Sequence, residues 1–260
     1  MNTRWLFASV ALAGLGTLLA QGPAGWPHHG NMDFVAHEMM SKTVTGAPFA
    51  ADVLTTTTQT LPNGTHLNHS STAALYRDNE GRTRHEVQSP AGAAALTASS
   101  GPPRPTVFIH DPVAQAAYVL NPQKKTAQKM TLPAHSAARP SRDEAASAPE
   151  ERGLQRLGAS VKNESLGTQV IDGLEVEGTR RTLTIPAGAM GNDQAIQSVT
   201  ERWYSSDLQV VVKSVRTDPR FGQTVYQLSN IRRGDQPASL FAVPSDYAVT
   251  AGGRGSRAAQ

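Results

Sequence analysis

Eight histidines are the first residues in this chain that invite chemistry: His28, His29, His37 beside Glu38, His66, His69, His85, His110 and His135. A metal site needs three or four such ligands converging at about 2 Å. No two of these histidines stand at a diagnostic spacing, and His66 and His69, three apart on a predicted strand, point to opposite faces. A serine nucleophile would want Gly-x-Ser-x-Gly on a strand-to-helix turn, and the motif is absent; the Arg-Gly-Ser at 254–256 lies in a predicted tail. Asp78, Glu80 and Glu86, or Asp193 and Glu201, are acids that could pair for glycoside hydrolysis, but at this density of acids such pairs arise by chance. No Gly-rich phosphate loop precedes a helix. The reading is therefore no catalytic residues, no metal, no cofactor and no enzyme. Arg82, Arg84, Arg180, Arg181 and Arg202 offer cations for an anionic head group or an acidic partner, or simply charge on an outer face.

The elements that must position these groups are mostly strands. The chain has 260 residues, a formal charge of +3 and no cysteine, so neither a disulfide nor a cysteine-linked lipid anchor is available. Acids and bases are interspersed without a concentrated basic face, which argues against nucleic acid as a partner. "MNTRWLFASVALAGLGTLLAQG" has the form of an export signal, with Arg4 ahead of an uncharged run to Ala20 and Leu18 and Ala20 suited to a cut before Gln21. The run is short for a membrane span. The expected address is the bacterial periplasm or outside, with no integral membrane protein left after cleavage; an uncleaved anchor is the alternative. An exported chain without disulfides must rely on a real core.

Residues 21–47 read as a Gly/Pro-rich mobile lead-in followed by a helix over Asn31 to Lys42. A single β-rich domain follows over 48–249. "ADVLTTTTQTL" is β-branched, "PNGT" carries the Asn-Gly pair of a tight hairpin, and "HLNHSSTAALYRD" and "RTRHEVQ" complete an antiparallel meander. "TVFIHDP", "AAYVLNP" and "KTAQKMTLP" are three more strands. Segments 89–105 and 134–153 read as disordered excursions, and 250–260 as a flexible tail. Strands flank Gly173, and "VTERWYSSDLQVVVKSV" reads as two strands hinged on Ser205, Ser206 and Asp207, followed by "QTVYQLSNIRRG".

Four segments carry a family resemblance. "LYRDNEGRTRHE", "VFIHDPVAQAAYVLNPQKKTAQKM", "ERWYSSDLQVVV" and "SLFAVPSDYAV" resemble the strand punctuation of LolA-like exported proteins, which are lipoprotein-carrier-like. The resemblance implies a mainly β (α+β) fold: a strongly curved antiparallel sheet, an unclosed half-barrel with one or more helices on the concave side. It also implies a non-catalytic role, either binding an apolar or lipid-like ligand or serving as an envelope sensor or structural protein with a protein partner. This chain departs from the carriers in its two Ala/Pro-rich excursions and its few bulky aromatics. The residues expected to form one apolar face, as core or as ligand site, are Val199, Trp203, Leu208, Val210, Val212, Tyr226 and Leu228. An open apolar cavity would favour the ligand; a filled core with an exposed apolar edge would favour the partner.

Overall fold

The computed structural model describes residues 43–88, 105–132, 153 and 156–252. The expected signal, the helix over 31–42 and, but for Pro105 and Gly153, the excursions over 89–105 and 134–153 lie outside the described residues. The described chain is almost wholly strand. β1 (Phe49–Thr60), β2 (His66–Arg77) and β3 (Thr83–Gln88) form the expected meander, and β4 (Thr106–Asp111), β5 (Ala116–Asn121) and β6 (Thr126–Thr131) form a second. β7 (Ser160–Ile171) and β8 (Leu174–Ile185) flank Gly173; β9 (Ile196–Ser205), β10 (Val210–Asp218) and β11 (Gly222–Arg233) follow, and β12 (Ala248–Ala251) ends the sheet. Side chains set the turns. Asn63 Oδ1 accepts from Thr65 N at 3.0 Å, Asp111 Oδ1 from Ala114 N at 2.8 Å, and Asn121 Oδ1 from Lys124 N at 3.0 Å. Such short polar side chains mimic a backbone turn, which is why Asn and Asp sit at these positions.

All twelve strands belong to one sheet, in the order β12-β6-β5-β4-β3-β2-β1-β11-β10-β9-β8-β7. The first strand therefore lies against the eleventh, a pairing that no local pattern announces. Every pairing is antiparallel except β12, which runs parallel to β6. β12 takes Thr250 and Ala251 out of the expected tail. The edge strands β12 and β7 do not pair with one another, so the sheet is unclosed. Among the described residues the only helical element with defined ends is a 3₁₀ turn at Ala238–Phe241. No described helix is long and apolar enough to cross a membrane.

Two bonds show how far the sheet curls. Neighbouring strands lie about 4.8 Å apart, so three steps across a flat sheet span about 14 Å. Yet Ile231 N on β11 donates to Asp172 Oδ2, in the β7–β8 turn, at 2.6 Å. Arg77 Nη2 at the end of β2 likewise reaches Leu208 O in the β9–β10 turn. Register irregularities at Ala50/Asp52, Ser165/Gly167 and Val211/Lys213 sharpen the bend.

The core lies on both sides of this sheet. On the inner side Phe49, Val53, Leu75, Val87 and Phe108 pack with Leu174, Val176, Leu208, Val210, Val212 and Leu228. On the other side Val107, Ile109, Leu120 and Ala127 pack with Tyr118, Val243 and Tyr247 of the closing segment. The two sides alternate along β4, where Phe108 serves one cluster and Val107 and Ile109 the other. Val44 and Ala47, which the sequence placed in the lead-in, are buried against this framework.

Candidate functional site

Six of the seven residues expected on the apolar face come together. Leu208, Val210, Val212 and Leu228 are buried in the inner cluster, and Trp203 and Tyr226 pack at its margin, half-buried. Val199 is not among them: it lies toward the opposite end of β9, opposite Thr182 and Thr217, and outside both clusters. The strand boundary also differs from the expectation. Leu208 belongs to the turn, β10 starts at Val210, and Gln209 has a left-handed backbone with φ 48°. Its exposure reflects the turn and not the alternation of a strand. Trp203 stands opposite Lys213, just past the irregularity at Val211/Lys213, and its ring lies over Gly178 on β8. A Cβ on Gly178 would sit 2.4 Å from that ring, so the absence of a side chain there is what lets the indole lie flat on the sheet.

Sequence reasoning missed the polar members of this face. Reading across the register, Leu75, His85, Phe108 and Val119 share one row, and Arg77, Thr83, His110 and Ala117 the next. Arg77 is 4% exposed. Its Nε and Nη2 donate to Ala47 O at 2.9 and 2.8 Å, Nη2 also donates to Leu208 O, and its guanidinium lies 4.8 Å from the Phe49 ring centroid. Among the described residues no carboxylate pairs with it, and burial pulls its pKa down to about 10. What it does is tie together the approach to β1, the end of β2 and the β9–β10 turn. No sequence signal marks it, because both carbonyl partners are remote along the chain or contributed by backbone.

His85 sits in the apolar row, and burial pushes its pKa down to about 4. It is neutral in the folded protein at pH 7, whereas in the unfolded chain it titrates near 6.5. Between these values the unfolded chain holds the extra proton, so stability present above pH 6.5 is lost as pH falls through 4. The residue as a whole is half-buried, so we expect a loss of about 1–2 kcal/mol between pH 7.5 and 4.5, below the full value of the shift. Urea melts at the two pH values check this, and His85→Leu should flatten the difference. Asp218 follows lower: hydrogen bonds from Arg220 hold its pKa at about 2, so its contribution disappears only below pH 4.

Several of the other residues that invited chemistry are engaged structurally. Asp78 accepts from the backbone N of Glu80 and Arg82 and pairs with the Arg82 side chain; Glu86 pairs with Arg84, and Glu201 with Arg180. His66 Nδ1 meets Thr60 Oγ1 at 3.0 Å across a strand pair, and His69 stands opposite Thr57. Among the described residues no three His, Asp or Glu converge as a metal would require. His28, His29, His37, Glu38 and His135 lie outside them.

No family model and no curated protein matches this chain. Solved structures do. An uncharacterised conserved protein from Thermus thermophilus is similar at 10% identity and a TM-score of 0.41, over 83% of this chain and 96% of that one. The Pseudomonas aeruginosa MucA/MucB complex is similar at 11% identity and a TM-score of 0.42, over 82% of this chain but only 62% of that one. A putative outer membrane lipoprotein-sorting protein domain from Vibrio parahaemolyticus is similar at 8% identity and a TM-score of 0.28, over 79% of this chain and 94% of that one. The likeness is one of fold. At such identities and TM-scores it carries nothing about what this chain binds.

Proposed function

We propose that this is an exported, non-catalytic binding protein of the bacterial envelope that recognises a protein partner with the bare edge and the polar rows of its sheet. The observation behind this reading is the closure of the inner apolar face. Val212 and Leu228 are 0% exposed, and Leu208 and Val210 3%. A cavity wide enough for a water molecule would leave its lining measurably accessible; side chains this buried behave as core. The sheet meanwhile ends on β7, a strand of 12 residues whose outer edge pairs with no described strand. Val161 and Val170 on it are 45% and 71% exposed. A long bare edge presents unpaired N–H and C=O groups and is a template for another chain.

The test is photo-crosslinking in the producing cell, with a benzophenone amino acid at Val170 and, as control, at Val113 on the β4–β5 turn. We expect a discrete adduct with one second protein from Val170 and none from Val113. No adduct from Val170, or the same smear from both, would overturn the reading. An apolar ligand is the second reading, favoured by the half-buried Trp203 and Tyr226 at the margin of the cluster.

A further inference from the structure

Across β8, β9 and β10 the two sides of the sheet carry charge differently. On one side Arg180 donates to Glu201 Oε1 from Nε at 2.9 Å and from Nη2 at 2.7 Å, and on the neighbouring β7 Lys162 Nζ donates to Glu164 at 2.9 Å. On the other side Arg181 stands opposite Thr200, and Thr200 opposite Arg216, so two arginines flank a threonine in one row. Arg202 stands one row along, between Thr179 and Ser214. Paired residues share a side of a sheet, and so do residues two apart on a strand. Three arginines therefore belong to one side. Arg181 and Arg216 are exposed, and neither has an ion pair with another described residue. Among the described residues, the carboxylates that these three strands carry on that side include Asp218, held by Arg220 at 2.7 Å, and Glu177, two rows from Arg181.

We infer that Arg181 and Arg216, flanking Thr200, form a docking surface for an acidic segment of a protein partner; this rests on the partner reading above. Two strand steps separate Arg181 from Arg216 by about 10 Å, within reach of one another's guanidinium groups over Thr200. Guanidinium forks suit carboxylates, which they can hold by two hydrogen bonds. The row continues through Thr224, Thr57 and His69 on β11, β1 and β2, polar throughout. Such a row gives an acyl chain no seat, while the apolar rows beyond it are closed. A peptide lying across the strands with acids at intervals matches it; a lipid does not.

The experiment uses a short fluorescein-labelled peptide of alternating Glu and Ser, with its Gln/Ser counterpart as control. Fluorescence anisotropy reads binding at low and physiological salt. We expect the full chain to bind the acidic peptide and not the control, with weakening as salt rises. Arg181→Gln with Arg216→Gln should weaken binding about tenfold or more, and Lys162→Gln with Arg180→Gln less than about twofold. Equal loss from both double variants would mean general charge attraction and would overturn the surface. So would binding of phosphatidylglycerol vesicles with the same arginine dependence and no binding of the peptide. If the peptide fails while the Val170 adduct persists, the surface is wrong and the partner reading stands. If the adduct is also absent, both fall.

Discussion

Val212→Asp is expected to abolish cooperative folding. Val212 is fully buried in the inner cluster, in company with Val210 and Leu228. A carboxylate there loses its water without gaining a partner. An unpaired buried charge costs several kcal/mol, comparable with the whole stability of a domain. The control is Thr72→Glu, exposed on β2, which should change stability by less than about 0.5 kcal/mol. The informative variant is Val212→Phe. If this face is core, the larger side chain overpacks it and costs about 1–3 kcal/mol; in an open ligand cavity it would be accepted with little loss. Urea denaturation of the three variants separates these outcomes.

Gly222→Ala should be the second most damaging change, although it adds one methyl group. Gly222 opens β11 with φ 87°, and a Cβ placed on it would lie 2.1 Å from Thr58 O and 2.9 Å from Gln59 Cα, both backbone atoms of β1. A flexible side chain could step aside, but a strand backbone cannot move without losing its pairing. The left-handed backbone and the clash together should cost about 2–4 kcal/mol. Gly188→Ala is the matched comparison. Its φ is 80° with nothing within 4 Å of the added atom, so only the conformational penalty of about 1 kcal/mol remains. Equal thermal shifts for the two variants would show that the close approach of β11 to β1 is not as described.

That β1–β11 contact marks the limit of what the sequence disclosed. The strands were legible because the Thr-rich β1, the Asn-Gly turn and the Asp- and Asn-closed hairpins act over a few residues. Val210, Val212 and Leu228 were legible as an apolar face for the same local reason. Their partners were not. Leu174 and Val176 reach the cluster only because the sheet curls, and the curl depends on irregularities such as that at Val211/Lys213, which leave no mark in hydrophobic periodicity. Arg77 was passed over because the carbonyls it binds come from Ala47 and Leu208. Arg180 and Arg181 looked alike in the sequence; their neighbours Glu201 and Thr200 on β9 separate a paired cation from an unpaired one.

Native mass spectrometry of the protein, purified gently without detergent, tests the central claim most directly. A closed apolar cluster, with recognition at the edge and polar rows of the sheet, predicts the mass of the polypeptide alone, with nothing lipid-sized released on activation. A stoichiometric adduct of lipid mass, lost from Val212→Phe but kept by Arg181→Gln, would contradict it and return the inner face to a ligand.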